Sequence, residues 1–229
     1  MKFKVKAVMI DLDGTLIHTA PEIARAANAM LTGLNLPILD AKLIESYIGE
    51  GAMVLIKRCL TGNVDVETAA ELLAADLLAQ AQTLFFDFYA KIVAESKPYP
   101  QVEAALQAIK QTGVKMACIT NKPAAFTMPL LEKSGLLPYF DLVVSGDTLP
   151  KKKPEPEQIF YVCKKFKVLV SESVLIGDSK TDIAAARNAG CFIFAVPYGY
   201  NHGYSMNIGT VDALIHHLYD AVDLMVTDY

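Results

Sequence analysis

No stretch of this 229-residue chain approaches the ~18 uncharged apolar positions of a membrane-spanning helix. The richest segment, Ala69 to Phe86, is interrupted by Glu71 and Asp76 and reads as an amphipathic helix. The first residues, Met1-Lys2-Phe3-Lys4-Val5-Lys6, are basic, but Asp11 cuts off the apolar run behind them too early for a secretory signal core. Cysteine is sparse and scattered. Cys59, Cys118, Cys163 and Cys191 stand far apart in apolar contexts without zinc-ligand spacing, which predicts buried, reduced thiols in a cytoplasmic protein. Positive charge is not in excess either: 21 basic against 25 acidic residues leave a formal charge of -4. That balance excludes a bulk nucleic-acid or anionic-membrane binder, since both need clustered cations, but leaves room for a local basic patch that binds a small anion. Internal repeats and low-complexity segments are also missing.

What is present is a large apolar complement. At 53% hydrophobic and 20% charged residues the chain can bury a substantial core, and its length suits one elaborated domain or a core with a smaller companion. Val5 to Ile10 reads as a buried strand stopped by Asp-Leu-Asp-Gly. From Ala20 to about Ser96 the pattern turns helical, with breaks at Asn35-Leu36-Pro37, Gly49-Glu50-Gly51 and Gly62-Asn63, which predicts four or so helices.

After Pro98-Tyr99-Pro100, helix and strand alternate. Helices are predicted over Gln101 to Thr112, Pro123 to Ser134, Glu155 to Phe166, Thr181 to Asn188 and Val211 to Val226. Strands are predicted over Lys115 to Thr120, Leu142 to Ser145, Val174 to Ile176 and Phe192 to Val196. This alternation implies an α/β fold, a Rossmann-like parallel sheet with an inserted α-helical cap. The boundaries are 1–16 and 97–229 for the core and 17–96 for the cap.

In an open α/β sheet, ligands bind beyond the carboxyl ends of the strands. The residues that follow the predicted strands are Asp11, Asp13, Gly14 and Thr15, then Thr120 and Asn121, then the Lys151-Lys152-Lys153-Pro154 run, then Asp178 and Asp182. Carboxylates, a hydroxyl and a lysine thus converge on one end. Such a set suits phosphoryl transfer. Asp11 is the candidate nucleophile, through an aspartyl-phosphate, and Asp13 the candidate acid and base. Asp11, Asp13 and Asp178 would repel one another without a cation, and oxygen ligands beside a phosphate favour Mg²⁺. Thr120, Asn121 and Lys153 supply donors and positive charge for phosphate oxygens, and Gly14, which permits close backbone approach, and Thr15 join them as candidate substrate-binding residues.

Asp11-Leu12-Asp13-Gly14-Thr15-Leu16, Ile119-Thr120-Asn121, Lys153-Pro154 and Gly177-Asp178-Ser179-Lys180-Thr181-Asp182 resemble, in order, the four motifs of the haloacid dehalogenase-like superfamily. The resemblance spans nearly the whole chain. Within it, Ile48-Gly49-Glu50-Gly51-Ala52, Thr120-Asn121-Lys122-Pro123, Lys152-Lys153-Pro154 and Tyr198-Gly199-Tyr200-Asn201-His202-Gly203 are most similar to the bacterial phosphoglycolate phosphatase branch. The resemblance implies Asp11 as nucleophile and Asp13 as acid/base, its backbone carbonyl also a metal ligand. It further implies that Asp178 completes a Mg²⁺ site, that Thr120 and Lys153 hold phosphate, and that Asp182 supports Lys153 or a metal-bound water. The substrate implied is a small phosphorylated metabolite, 2-phosphoglycolate, and the protein a monomer or homodimer. His18 stands where relatives commonly carry Asp, while Asp13 makes halide displacement an unsuitable reaction.

Other readings compete. A phosphosugar mutase of the same superfamily, or a phosphatase for another metabolite, would use the same residues. A non-catalytic phosphoacceptor module also uses an Asp and Mg²⁺, but its acceptor follows a later strand. Away from the motifs the plain readings are structural. Lys151 and Lys152 read as solvent-facing, and Lys57 and Arg58 as an exposed helix face with a lesser chance of meeting a substrate carboxylate. His18 reads as a loop histidine, His216 and His217 as surface residues, and Tyr198 and Tyr200 as loop packing.

Overall fold

The computed structural model describes residues 2–62, 73–200 and 209–226. Its centre is a six-stranded parallel sheet built from β2 (Ala7–Ile10), β5 (Lys115–Ile119), β6 (Leu142–Val144), β7 (Ser173–Gly177), β8 (Phe192–Ala195) and β9 (Ala213–Leu214), in the spatial order β6-β5-β2-β7-β8-β9. The central strands are buried on both faces, and successive residues alternate between two cores. Val8, Ile10, Met116, Cys118, Val174 and Ile176 join one apolar cluster, while Met9, Ala117, Ile119 and Leu175 join the other. This is why the strands read as continuous apolar runs rather than as alternating ones.

Helices cover the second face through Ile159, Val162 and Cys163 of one helix (Glu157–Phe166) and Ala185 and Ala186 of another (Lys180–Ala189). The first face meets Val102, Ala105, Leu106 and Ile109 of a helix at Val102–Gln111, and Leu130 and Leu131 of one at Ala124–Lys133. The fold is thus the α/β, Rossmann-like sheet that the alternation implies. The four cysteines are all buried and unpaired. No helix among the described residues is long and apolar enough to cross a membrane.

Between β3 (Ile17–His18) and β4 (Lys97–Pro98), which pair antiparallel, lies the helical block. Among the described residues it contains α1 (Ala20–Gly33), α2 (Ala41–Glu45), α3 (Ala52–Thr61) and α4 (Ala75–Ile92). Residues 63–72, including the start of the amphipathic segment expected from Ala69, lie outside the described residues. Buried Ala81, Phe85, Tyr89 and Ile92 fall at spacings of about one helical turn on α4, whose apolar face packs along α1. The helices just introduced on the sheet are, in chain order, α5 (Val102–Gln111), α6 (Ala124–Lys133), α7 (Glu157–Phe166) and α8 (Lys180–Ala189).

The largest departure from the sequence reading is at Val211 to Val226. Instead of one helix, the chain forms β9, a short helix α9 (Asp220–Leu224) and β10 (Met225–Val226), which pairs with β1 (Phe3–Lys4). Val211, Ile215, Leu218, Ala221 and Met225 are all buried and recur every three or four residues, as on a helix. Their burial has other causes. Phe194 and Ala195 pair with Ala213 and Leu214, and the Ile215 amide donates to the Ala195 carbonyl (2.9 Å). The Asp220 carboxylate accepts from the His216 and His217 amides and so starts a separate turn. Both histidine side chains are exposed, as surface residues should be.

One local feature ties fold to site. Ser179 caps α8: its hydroxyl oxygen accepts from the Asp182 amide, and the Asp182 carboxylate accepts from the Ser179 amide (3.1 Å) and hydroxyl (2.6 Å). Asp182 is fully buried as a result of its place in the first turn. Ser179→Ala should cost about 1 kcal/mol, equivalent to a fall of about 2–4 °C in Tm for a chain of this length, measured by thermal unfolding. An unchanged Tm would mean that the helix start is held by something other than this cap.

Candidate active site

β2 is the strand from which the sheet order reverses, with β5 and β6 on one side and β7, β8 and β9 on the other. A crevice opens at such a switch point beyond the strand ends. Ile10 pairs with Cys118 on one neighbour and Ile176 on the other, so Asp11, Thr120 and Asp178 leave the sheet within two residues of a common level. The Asp11 amide still donates to the Ile176 carbonyl (2.9 Å), which pins the start of the loop.

Three carboxylates come together there. Asp11, Asp178 and Asp182 are all buried, and one oxygen from each lies within 4.8 Å of the others. The side chain of Asp13 is not in this group, and Asp182 stands where simple charge counting put Asp13. The cluster carries its own electrostatic signature. Burial, opposed by Lys153 and reinforced by Asp182, pushes the Asp11 carboxyl up to about 7. Burial, with Asp182 and Asp11 adding to it, raises Asp178 well above the ordinary carboxylate range. A set of three oxygen donors without nitrogen or sulfur suits a hard divalent cation, which would relieve the repulsion.

Lys153 sits under the cluster, 2% exposed, with Nζ donating to Asp11 Oδ1 (2.7 Å) and Asp182 Oδ1 (2.6 Å). Burial alone would lower its pKa, but the charges of Asp11 and Asp182 win and raise it, so the ammonium stays protonated. Asp182 thereby supports Lys153 directly, as one of the two alternatives for that residue proposes.

Asp178 is oriented by the Thr15 hydroxyl (2.9 Å) and the Tyr200 amide (2.6 Å). Thr15 is fully buried and its hydroxyl serves Asp178. Gly14 has φ +84°, and a Cβ there would run into Asp178 and Tyr200. Its amide donates to the Ile17 carbonyl (3.0 Å), so the glycine provides room for close approach, not an open donor.

Thr120 lines the cavity, its hydroxyl oxygen accepting from the Lys122 amide (3.1 Å). Asn121 donates through Nδ2 to the Lys153 carbonyl (2.8 Å) and the Gly49 carbonyl (3.0 Å), fastening the core to the helical block, while its buried Oδ1 makes no hydrogen bond.

Several residues that sequence reasoning missed or set aside are part of this arrangement. Lys122 is buried and donates to both oxygens of Asp13 (2.8 and 3.0 Å); Thr19 donates to the same carboxylate (2.8 Å). Gln158 donates to the carbonyls of Thr120 and Ser145, holding two strand ends together. The Tyr200 hydroxyl accepts from the Thr19 and Ala20 amides (2.7 and 2.9 Å), and Tyr198 donates to the Thr15 carbonyl (3.0 Å), so these tyrosines do more than pack a loop.

Arg58 is 4% exposed instead of lying on an open helix face; it bonds Glu50 (2.7 Å) and the Tyr47 carbonyl (3.3 Å). Lys152 is half-buried, its Nζ lying where a Cβ on Gly51 would go, whereas Lys151 is exposed beside Glu155 and Glu157. His18 is exposed and lies on β3 instead of in a loop, within hydrogen-bonding distance of the Tyr200 and Tyr99 hydroxyls. His202 lies outside the described residues.

The family model for haloacid dehalogenase-like hydrolases matches residues 8–196. The chain belongs to that family. A phosphoglycolate phosphatase of Nitrosospira multiformis is 46% identical over 222 residues, covering 96% of each chain. One from Thiobacillus denitrificans is 47% identical over 224 residues, covering 97% of this chain and 96% of its own. Among solved structures, a predicted phosphoglycolate phosphatase from Haemophilus somnus superposes with a TM-score of 0.88 at 32% identity, over 96% of this chain and 97% of its own. The enzyme is thus a hydrolase whose likeness to these proteins runs its whole length.

The carboxylate cluster makes a stability prediction for this hydrolase. Folding raises the pKa of Asp11 and Asp178 above their ordinary 3.8, so the folded form binds protons more tightly than the unfolded one. In metal-free protein their contribution is complete below that value and is lost as pH rises through the raised folded-state values, about 7 for Asp11. Metal-free protein should therefore lose Tm toward alkaline pH. Asp178→Asn should recover about 0.5–2 kcal/mol at alkaline pH, or about 2–4 °C per kcal/mol, while losing the rise in Tm that a divalent cation gives the native chain. A cation-induced rise that survives in Asp178→Asn would show that Asp178 is not a ligand.

Proposed function

We propose that this hydrolase is a Mg²⁺-dependent phosphatase that converts a small phosphate monoester, 2-phosphoglycolate in the first instance, into the alcohol and inorganic phosphate. The observation that carries this reading is the meeting of Asp11, Asp178 and Asp182 with Lys153 at the switch point of the sheet. The substrate is suggested by the full-length relatives, which are named phosphoglycolate phosphatases. Asp11, Asp178 and the backbone at Asp13 would hold the metal, with Asp182 close by. When bound, Mg²⁺ neutralises charge on the transferring phosphoryl group and on the carboxylates around it.

The protein's own residues account for the rest. Asp11 is placed to attack phosphorus, forming an O–P bond and an aspartyl-phosphate as the ester oxygen departs. Asp13, two residues on and lining the same cavity, is placed to give that oxygen its proton and then to take one from the water that hydrolyses the acyl phosphate. Lys153 supplies a fixed positive charge and Thr120 a hydroxyl for the phosphoryl oxygens; because both are already buried and oriented, little reorganisation accompanies the reaction. The helical block acts as a cap on this reading. Ile48, Leu55 and Phe85 face the cavity from above and would exclude bulk water from the acyl phosphate.

Asp11→Asn should keep the fold and reduce phosphate release on the order of 10³-fold or more, measured with 2-phosphoglycolate and a panel of phosphorylated metabolites with and without Mg²⁺. Near-native turnover by this variant, or turnover undiminished by chelation of divalent cations, would refute the proposal.

A further inference from the structure

Of the carboxylates among the described residues that line the cavity, Asp13 alone stays out of the cluster at the strand ends. Asp11 and Asp182 are tied to Lys153, and Asp178 to Thr15 and Tyr200. The oxygens of Asp13 are taken by a different set. Lys122 Nζ donates to both (2.8 and 3.0 Å), and the Thr19 hydroxyl donates to one (2.8 Å). A free carboxylate this close to a divalent cation would be drawn in as a further ligand, and its oxygens would then be occupied. Something has to hold Asp13 apart.

Lys122 is placed to do so. It is 5% exposed, and its backbone is fastened on both sides. Its amide donates to the Thr120 hydroxyl oxygen (3.1 Å), and its carbonyl accepts from the Gly146 amide (2.8 Å) and the Thr127 hydroxyl (3.2 Å). The ammonium lies 4.9 Å from the centre of the Tyr89 ring, so α4 backs it with a cation–π contact. The loop after β5, the crossing at Thr19 and α4 thus converge on one carboxylate. Such a buried ion pair adds little to stability, because desolvation of both charges offsets most of their attraction. What it fixes is orientation.

We infer that Lys122 is the positioning residue for proton transfer, holding the Asp13 carboxyl away from the metal and toward the departing ester oxygen, with Tyr89 steadying the lysine. The assignment rests on the phosphatase reading and adds a residue to it. In the first half of the reaction the Asp11–phosphorus bond forms, the ester P–O bond breaks, and Asp13 passes its proton to the departing oxygen. The Asp13 carboxylate left behind is met by two N–H donors already in place, which stabilise the charge as it appears. In the second half water attacks phosphorus, its proton goes to Asp13, and Asp11 leaves as a carboxylate, so each turnover restores the starting state. Lys122 itself exchanges no proton.

The test compares two substrates in the presence of Mg²⁺: 2-phosphoglycolate, whose alkoxide needs a proton to leave, and acetyl phosphate, whose acetate needs none. The ratio kcat/KM reports only the steps up to departure of the leaving group. Lys122→Met should therefore lower it on the order of 10²-fold for 2-phosphoglycolate and by less than about threefold for acetyl phosphate. With acetyl phosphate kcat should still fall on the order of 10²-fold, and acid-quenched protein should carry phosphate on Asp11, because the second half needs Asp13 as base. Lys122→Arg, which keeps charge and donors, should recover much of both losses. Tyr89→Leu should show the same split more weakly, and it carries the test if Lys122→Met does not fold. Equal losses of kcat/KM for the two substrates, the mark of a merely structural lysine, would overturn the assignment. So would an unchanged kcat with acetyl phosphate, which a lysine that only touches the carboxylate of 2-phosphoglycolate would give. Release of phosphate from neither substrate by the unsubstituted protein would instead remove the phosphatase reading.

Discussion

Everything at the strand ends depends on keeping three buried carboxylates next to one another. Left to Coulomb repulsion and desolvation, Asp11, Asp178 and Asp182 would separate or protonate, and the raised pKa values of Asp11 and Asp178 measure that tendency. Lys153 opposes it from below by binding Asp11 and Asp182 at once, and the surrounding protein holds the remaining lone pairs. Asp178 is fixed by Thr15 and Tyr200, Asp182 by the α8 cap, and the Lys153 loop by Asn121. The cluster is therefore preorganised at a cost in stability, which is the arrangement expected of a site that stabilises negative charge arriving later.

The same bonds link this cluster to the helical block. Tyr200 touches Asp178 through its amide and the start of α1 through its hydroxyl, while Asn121 reaches from the Lys153 carbonyl to that of Gly49. Asp13 lies between, held by Thr19 at the crossing into the block and by Lys122, whose ammonium rests on the ring of Tyr89. A movement of the block relative to the sheet would thus be felt first at Asp13 and Asp178, the groups to which the proposed reaction gives proton transfer and the metal. Shielding and catalytic geometry are coupled through side chains instead of resting on separate parts of the molecule.

How much of this was legible in the sequence follows from which forces are local. The strand ends were readable because a buried parallel strand must be apolar on both faces, so the first polar residue after each apolar run, Asp11 after Ile10, Thr120 after Ile119 and Asp178 after Ile176-Gly177, marks where the sheet stops. The membership of Asp182 was partly readable as well. Ser179 three residues ahead of it is a capping signal, and a capped first turn holds its carboxylate near the strand end. Val211 to Val226 misled for the converse reason: burial at helical intervals arises equally from an edge strand, a turn and a short strand of a second sheet, Val211 joining one apolar cluster and Ile215, Leu218, Ala221 and Met225 the other.

Lys122 and Arg58 show where such reading stops. Nothing local distinguishes Lys122 from Lys151 or Lys152, because its burial depends on Asp13, 109 residues earlier, and on Tyr89 from the middle of the helical block. Arg58 is buried because the turn at Tyr47 to Glu50 folds back to supply an acceptor and a countercharge, again a tertiary event. The general chemistry of the site is written in short motifs at the ends of strands, where backbone and charge requirements are local. What distinguishes one substrate from another is built from single cations and hydroxyls contributed by elements that meet only in the folded chain. In this hydrolase one such meeting is at the seam where β5's loop approaches α4, where the Lys122 ammonium bonds Asp13 and stands 4.9 Å from the centre of the Tyr89 ring.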